Sequence, residues 1–122
     1  MQAALLHQFG PTLSVEDVPR PVPGPDDVLL QVEVCGVCHS DLHVAEGDQP
    51  ALKGATKPDL IPGHEVVGTV VERGANVTHL NLGDRVGVAW NYSTCGVCEP
   101  CREGLENLCR KAVITGVMVD GG

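Results

Sequence analysis

A single, mostly β domain is what this sequence predicts, and three observations predict it. Branched aliphatic residues recur with a period of two, as in Val28, Leu30, Val32 and Val34, the pattern of a half-buried strand. Only Phe9, Trp90 and Tyr92 are aromatic in a chain that is 43% hydrophobic, so valine, leucine and isoleucine must supply the packing. Fifteen glycines and nine prolines punctuate these runs at short intervals. A chain of 122 residues can bury a usable but modest core, which fits one domain.

The elements follow in order. Met1 to Phe9 reads as a first strand that ends at Gly10-Pro11. Pro19, Pro21, Pro23 and Pro25 exclude a helix and give an extended lead-in to the strand over Val28–Val34. Residues 38–46 read as the one helical turn, stopped by Gly47. Glu65 to Glu72 is a further strand, and Gly68 inside it marks a bulge or a close backbone approach. Gly74-Ala75-Asn76 and Leu82-Gly83-Asp84 are turns, the second feeding a strand through Val86, Val88 and Trp90. No repeat, low-complexity tract or internal linker interrupts the chain.

Charge and cysteine usage narrow the class. A net charge of −8 argues against nucleic acid as a partner, because phosphates need a basic face. There is neither a signal peptide nor an apolar run of about 18 residues, so no membrane span is expected. Six cysteines in such a chain fit a reducing, cytoplasmic compartment and metal binding. Four of them, Cys95, Cys98, Cys101 and Cys109, are spaced C-x2-C-x2-C-x7-C. Two residues between ligands allow a tight turn to aim successive sulfurs at one point, and the longer gap lets the chain loop back. Four thiolates at about 2.3 Å close a tetrahedral structural zinc site. A pair of disulfides is the competing reading, disfavoured because neighbours at this spacing strain a direct bridge.

A second constellation is Gly36-Val37-Cys38-His39-Ser40-Asp41-Leu42-His43, followed by Pro62-Gly63-His64-Glu65. A cysteine and a histidine 26 positions apart are a weak metal signal by themselves, since a lone Cys is more often a small core residue. Taken in order with Gly83-Asp84-Arg85-Val86 and the four-cysteine lobe, these motifs resemble the zinc-dependent medium-chain alcohol dehydrogenases from about Met1 to Gly122.

That resemblance implies a GroES-like, partly open β-barrel with short helices and an excursion carrying the four-cysteine zinc. It implies a catalytic zinc as well, held by two cysteines and a histidine, the ligand set for which alcohol dehydrogenases are the general example. Cys38 and His64 match two of those ligands, and Glu65 matches an acidic neighbour able to approach the metal. Asp41 matches the carboxylate that orients the histidine ligand, while Ser40 and His43 match a proton relay. His39 matches the position that meets the pyrophosphate of NAD or NADP. Trp90 falls where the substrate pocket is lined; as an alternative it is a core or barrel-rim aromatic. Cys35 is expected to be a packed thiol, and His7 and His79 to be surface or structural residues without a partner pattern.

The resemblance also has a limit. Family members are considerably longer, and their Gly-x-Gly-x-x-Gly nucleotide-binding (Rossmann) fingerprint is absent from this chain, as is a third catalytic cysteine ligand. The expectation is therefore an incomplete GroES-like domain over residues 1–122, inactive alone. In the complete, homo-oligomeric enzyme it would oxidise primary or secondary alcohols to aldehydes or ketones. The alternative is a non-catalytic zinc-binding or oligomerisation module derived from the same family.

Overall fold

Residues 1–122 are described by a computed structural model. The chain enters as an antiparallel hairpin, β1 (Gln2–Leu5) against β2 (Ser14–Asp17), with Gln2 opposite Asp17 and Leu5 opposite Ser14. The first strand is thus shorter than the expected run to Phe9. Beyond Leu5 the chain bridges Leu6 to Leu60, and Gly10 donates its N–H to the Ala45 carbonyl at 2.8 Å. A loop and a helix, not a strand partner, take up that stretch of backbone. β2 has no counterpart in the sequence reading because its Ser-Val-Glu-Asp run faces solvent at nearly every position, leaving no alternation to detect.

A three-stranded antiparallel sheet follows, ordered β3 (Val28–Cys35), β4 (Val66–Arg73), β5 (Arg85–Val88). Its first two strands match the expected spans to within a residue. Gly68 is a close approach, because a Cβ there would sit 2.5 Å from the Gln31 carbonyl oxygen. The bulge lies opposite it, in β3, between Val32 and Val34. That irregularity corrects one expectation: Val32 and Val34 do not continue a half-buried face with Val28 and Leu30 but are 43% and 53% exposed. The shifted register breaks the single apolar face, and β3 is an edge strand of its sheet. β5 ends at Val88 instead of reaching Trp90. The Ala89 and Trp90 carbonyls each accept from Thr115, through its Oγ1 and its N–H respectively, at 2.9 Å, and this draws the chain away. Residues beyond form β6 (Asn91–Ser93), paired with β7 (Val113–Ile114).

The expected helical turn is α1 (His39–Glu46), closed by Gly47 in the left-handed conformation at φ 64°. It is not the single helix expected from the sequence. α2 (Pro50–Ala55) begins with the proline at its first position, and α3 (Glu99–Arg102) and a 3₁₀ turn (Glu106–Leu108) lie in the cysteine lobe. α2 has no fully buried residue, contains Gly54 and is only six residues long, too short for an apolar periodicity to betray it.

The core is small. Leu6, Val44, Leu60 and Val117 are each at most 4% exposed and pack together, flanked by Ala45, Leu52, Ala55, Trp90 and Ile114. This cluster ties the segment just after β1 to α1, α2 and the C-terminal turn. The three sheets remain separate, so the architecture is mostly β and open. A cleft of about 880 Å³, lined among others by Leu30, Val32, Ile61, Val66 and Val88, lies along the β3–β4 face. No helix is long and apolar enough to cross a membrane.

Candidate metal centres

In the cysteine lobe, backbone geometry gathers four sulfurs from a short stretch of chain. Gly96, at φ 67°, turns the chain after Cys95, Cys98 caps α3, and Cys101 sits buried in its last turn. Gly104 and the 3₁₀ turn then return Cys109, also buried. All six cysteines of the chain are free thiols. The Sγ atoms of Cys98 and Cys101 are 3.4 Å apart, those of Cys95 and Cys109 3.6 Å, and those of Cys98 and Cys109 3.9 Å. Sulfurs at the corners of a tetrahedron with metal–sulfur bonds of about 2.3 Å stand about 3.8 Å apart, so these spacings suit a zinc.

The protein also prepares two of the sulfurs, those of Cys95 and Cys98, as anions. Backbone N–H groups of Cys95 and Lys111 donate to Cys109 Sγ at 3.3 and 3.4 Å, and that of Cys98 donates to Cys95 Sγ at 3.4 Å. The backbone at Val97 and then Cys98 brings the Cys95 thiol down to about 6, and the Cys101 N–H lowers Cys98. Burial instead pushes Cys101 up to about 12, with the neighbouring thiols adding to the rise. Four thiolates cannot coexist at this range on hydrogen bonds alone. A divalent cation would supply the compensating charge, and the donor set fits one.

The second centre draws on two segments far apart in sequence. Cys38 stands at the N-cap of α1 and His64 follows Gly63, on the approach to β4. Gly63 is buried at φ 108°, and a Cβ there would lie 2.8 Å from Cys35 Sγ and 2.9 Å from the Gly122 oxygen. Only glycine fits there, and that constraint aims His64 inward. Ligand atoms of Cys38, His64 and Glu65 all lie within 4.8 Å of one another, with Glu65 the exposed member.

Around this trio the neighbours are ordered. Asp41 Oδ2 accepts the Cys38 N–H at 2.8 Å, locking the first turn of α1. Asp41 Oδ1 lies 3.1 Å from His64 Nδ1, in ion-pair range but without hydrogen-bond alignment, and it is the one buried side-chain oxygen with no hydrogen bond. A carboxylate behind Nδ1 leaves Nε2 facing the Cys38 side, as a metal-binding histidine requires. Ser40 Oγ donates to Cys38 Sγ at 3.1 Å and lies 3.4 Å from His64 Nε2. The Trp90 indole meets the His64 ring edge-on, centroids 4.7 Å apart, while also flanking the hydrophobic core.

The other predicted residues are placed as follows. His39 and His43 stack, with ring centroids 4.7 Å apart and planes 18° from parallel. Ser40 bonds toward Cys38 and His64, whereas His43 Nδ1 lies 2.9 Å from both oxygens of Asp48, a residue the sequence reading did not single out. Cys35 is half-buried, its Sγ donating to the Gly36 carbonyl at 3.5 Å, and it lines the large cleft. His79 is exposed. His7 is also on the surface but does have partners: Nδ1 meets Asp59 and Nε2 meets Glu16 at 2.7 Å. Those contacts raise the His7 pKa, the Asp59 hydrogen bond most and the Glu16 bond next.

Comparison with known proteins places this geometry among relatives. Residues 24–122 match the family described as the alcohol dehydrogenase GroES-like domain. The chain is 52% identical over 121 residues to an alcohol dehydrogenase of Rhizobium meliloti (strain 1021), covering 99% of this chain and 35% of that protein. Among solved structures, it superposes with a TM-score of 0.88 on a cobalt- and zinc-bound thermostable alcohol dehydrogenase from Pyrobaculum aerophilum, at 34% identity, covering all of this chain and 36% of that one. A zinc-binding dehydrogenase from Sinorhizobium meliloti 1021, bound to NADP, gives 0.85 at 39% identity, covering 99% of this chain and 33% of that one. The chain thus spans about a third of the length of the relatives it matches.

Proposed function

The chain belongs to the alcohol dehydrogenase GroES-like domain family, and on that premise we propose that it forms the N-terminal catalytic portion of a zinc-dependent alcohol dehydrogenase. In the complete enzyme it would act on primary or secondary alcohols, converting them to aldehydes or ketones with NAD or NADP. The observation that carries this reading is the convergence of Cys38, His64 and Glu65 within 4.8 Å, with the Asp41 carboxylate behind the histidine ring.

Cys38 and His64 would hold the catalytic zinc, with Glu65 beside it, and Cys95, Cys98, Cys101 and Cys109 the structural one. When bound, zinc supplies Lewis acidity toward an alcohol oxygen and the dinucleotide supplies a hydride acceptor. The remaining work falls to the chain's own side chains. Ser40 Oγ, 3.1 Å from Cys38 Sγ, places a hydroxyl one hydrogen bond from whatever oxygen those ligands present. His43, 29% exposed, carries the proton on toward solvent. His39 lies in the first turn of α1, where helix N-terminal N–H groups favour phosphate, and would meet the pyrophosphate. Trp90 walls the substrate side and excludes water from the His64 ring. Six free thiols accord with a cytoplasmic enzyme, and the complete protein is proposed to be a homo-oligomer acting on small molecules.

A chimera tests this. Residues 1–122 would replace the matching segment of the Rhizobium meliloti alcohol dehydrogenase, and alcohol-dependent reduction of NAD or NADP would be followed. Activity that is lost on His64→Ala supports the assignment. A folded, zinc-loaded but inert chimera would overturn it in favour of a non-catalytic zinc-binding or oligomerisation module.

A further inference from the structure

Asp48 stands outside the motifs that identify the metal centres, yet both of its carboxylate oxygens lie 2.9 Å from His43 Nδ1. Their meeting is not a consequence of helix periodicity. Five residues along an α-helix place a side chain about 140° around the axis from the first, on a different face. The contact arises because Gly47 closes α1 in the left-handed conformation, φ 64°, with its N–H bonded to the His43 carbonyl at 3.0 Å. That turn doubles the chain back, so the residue after it returns alongside the ring. A Cβ on Gly47 would lie 2.7 Å from the Phe9 ring, so packing as well as φ restricts this corner to glycine.

A carboxylate only accepts hydrogen bonds, so the nitrogen facing it must carry the proton. The other face of the His43 ring is covered by His39, stacked at 4.7 Å, which restrains ring rotation. We infer that Asp48 is a positioning residue that fixes His43 as the Nδ1–H tautomer and leaves Nε2 as the nitrogen free to accept a proton. The inference rests on the relay reading of His43 and extends it: it states which nitrogen receives the proton and what holds it in readiness. Without Asp48 the ring has no acceptor at Nδ1 and reverts to the Nε2–H form that a free histidine side chain prefers, with its lone pair on the wrong nitrogen.

The test needs no turnover. Histidine ¹⁵N spectra of the zinc-loaded 122-residue chain are recorded at about pH 9, where an ordinary imidazole is neutral, with His43 assigned by His43→Gln. The expected result is a pyridine-like shift on Nε2 and a pyrrole-like shift on Nδ1. Asp48→Ala should interchange the two, and Asp48→Glu, which keeps an acceptor-only carboxylate, should restore them. A pyridine-like Nδ1 in the parent chain, or an unchanged pattern in Asp48→Ala, would overturn the inference. Should the tautomer respond as expected while His43→Gln leaves the chimera fully active, positioning by Asp48 stands and the relay role of His43 falls.

Discussion

Replacing Leu60 with alanine should destabilise the domain severely, because Leu60 is the most buried side chain of a cluster of only four. Its exposure is 0%, and its partners Leu6, Val44 and Val117 are only 4%, 1% and 1% exposed. The flanking backbone bonds, Leu6 N–H to Leu60 C=O at 2.8 Å and its reciprocal at 3.2 Å, survive the change, so the substitution isolates side-chain packing. Truncating a leucine in such a site costs about 3 kcal/mol, the transfer term plus the residual cavity. Unfolding entropy of about 2.1 cal/mol/K per residue over the 122 residues makes each kcal/mol worth about 4 °C, so the melting point should fall by about 12 °C. Circular dichroism melts at saturating zinc measure this, with Val97→Ala as control. Val97 is 64% exposed, and its loss should change stability by less than about 0.5 kcal/mol. A fall of under about 4 °C for Leu60→Ala would refute the view that this cluster anchors α1, α2 and the C-terminal turn.

The lobe and the second centre should respond differently to loss of a ligand. Cys98→Ser removes one of four local ligands and should abolish zinc retention and order in residues 95–109. Cys38→Ser should barely move the melting of this chain. Equal losses in melting temperature would contradict that division. The His7 clamp should also depend on pH. Both ring nitrogens face carboxylates, so only the imidazolium satisfies Asp59 and Glu16 together, and its pKa is raised above the ordinary 6.5. A raised folded-state pKa gives stability that is full below 6.5 and lost as pH rises through the folded value, while the lowered Glu16 pKa removes its share on acidification below 4.5. The melting-point difference between the parent chain and His7→Gln should therefore be larger near pH 6 than at pH 9. A pH-independent difference would remove the clamp from the account.

What was legible in the sequence was what is local. The four lobe cysteines lie within fifteen residues, so spacing alone announces their convergence. α1 was visible because Gly47 ends it, and β4 because Val66 and Val70 are buried on either side of a glycine that must approach β3. The hidden elements carry little apolar signal: β2 is mostly polar and exposed, and six-residue α2 gives the core only Leu52 and Ala55, both partly buried. Exposure of Val32 and Val34 follows from a bulge and an edge position, neither of which alternation can report. In the second centre, family resemblance named Cys38, His64 and Asp41, but the side chains' partners depended on the fold. Ser40 turns toward Cys38 and His64, Asp48 reaches His43 only through a left-handed corner, and His7 finds Asp59 from 52 residues away.

Zinc content per chain tests the central claim most directly, by elemental analysis of protein purified without added metal. About one zinc per chain is expected, held by the four-cysteine lobe and absent from Cys98→Ser while retained in Cys38→Ser. Protein that is folded, with all six thiols free, yet carries no zinc would contradict it.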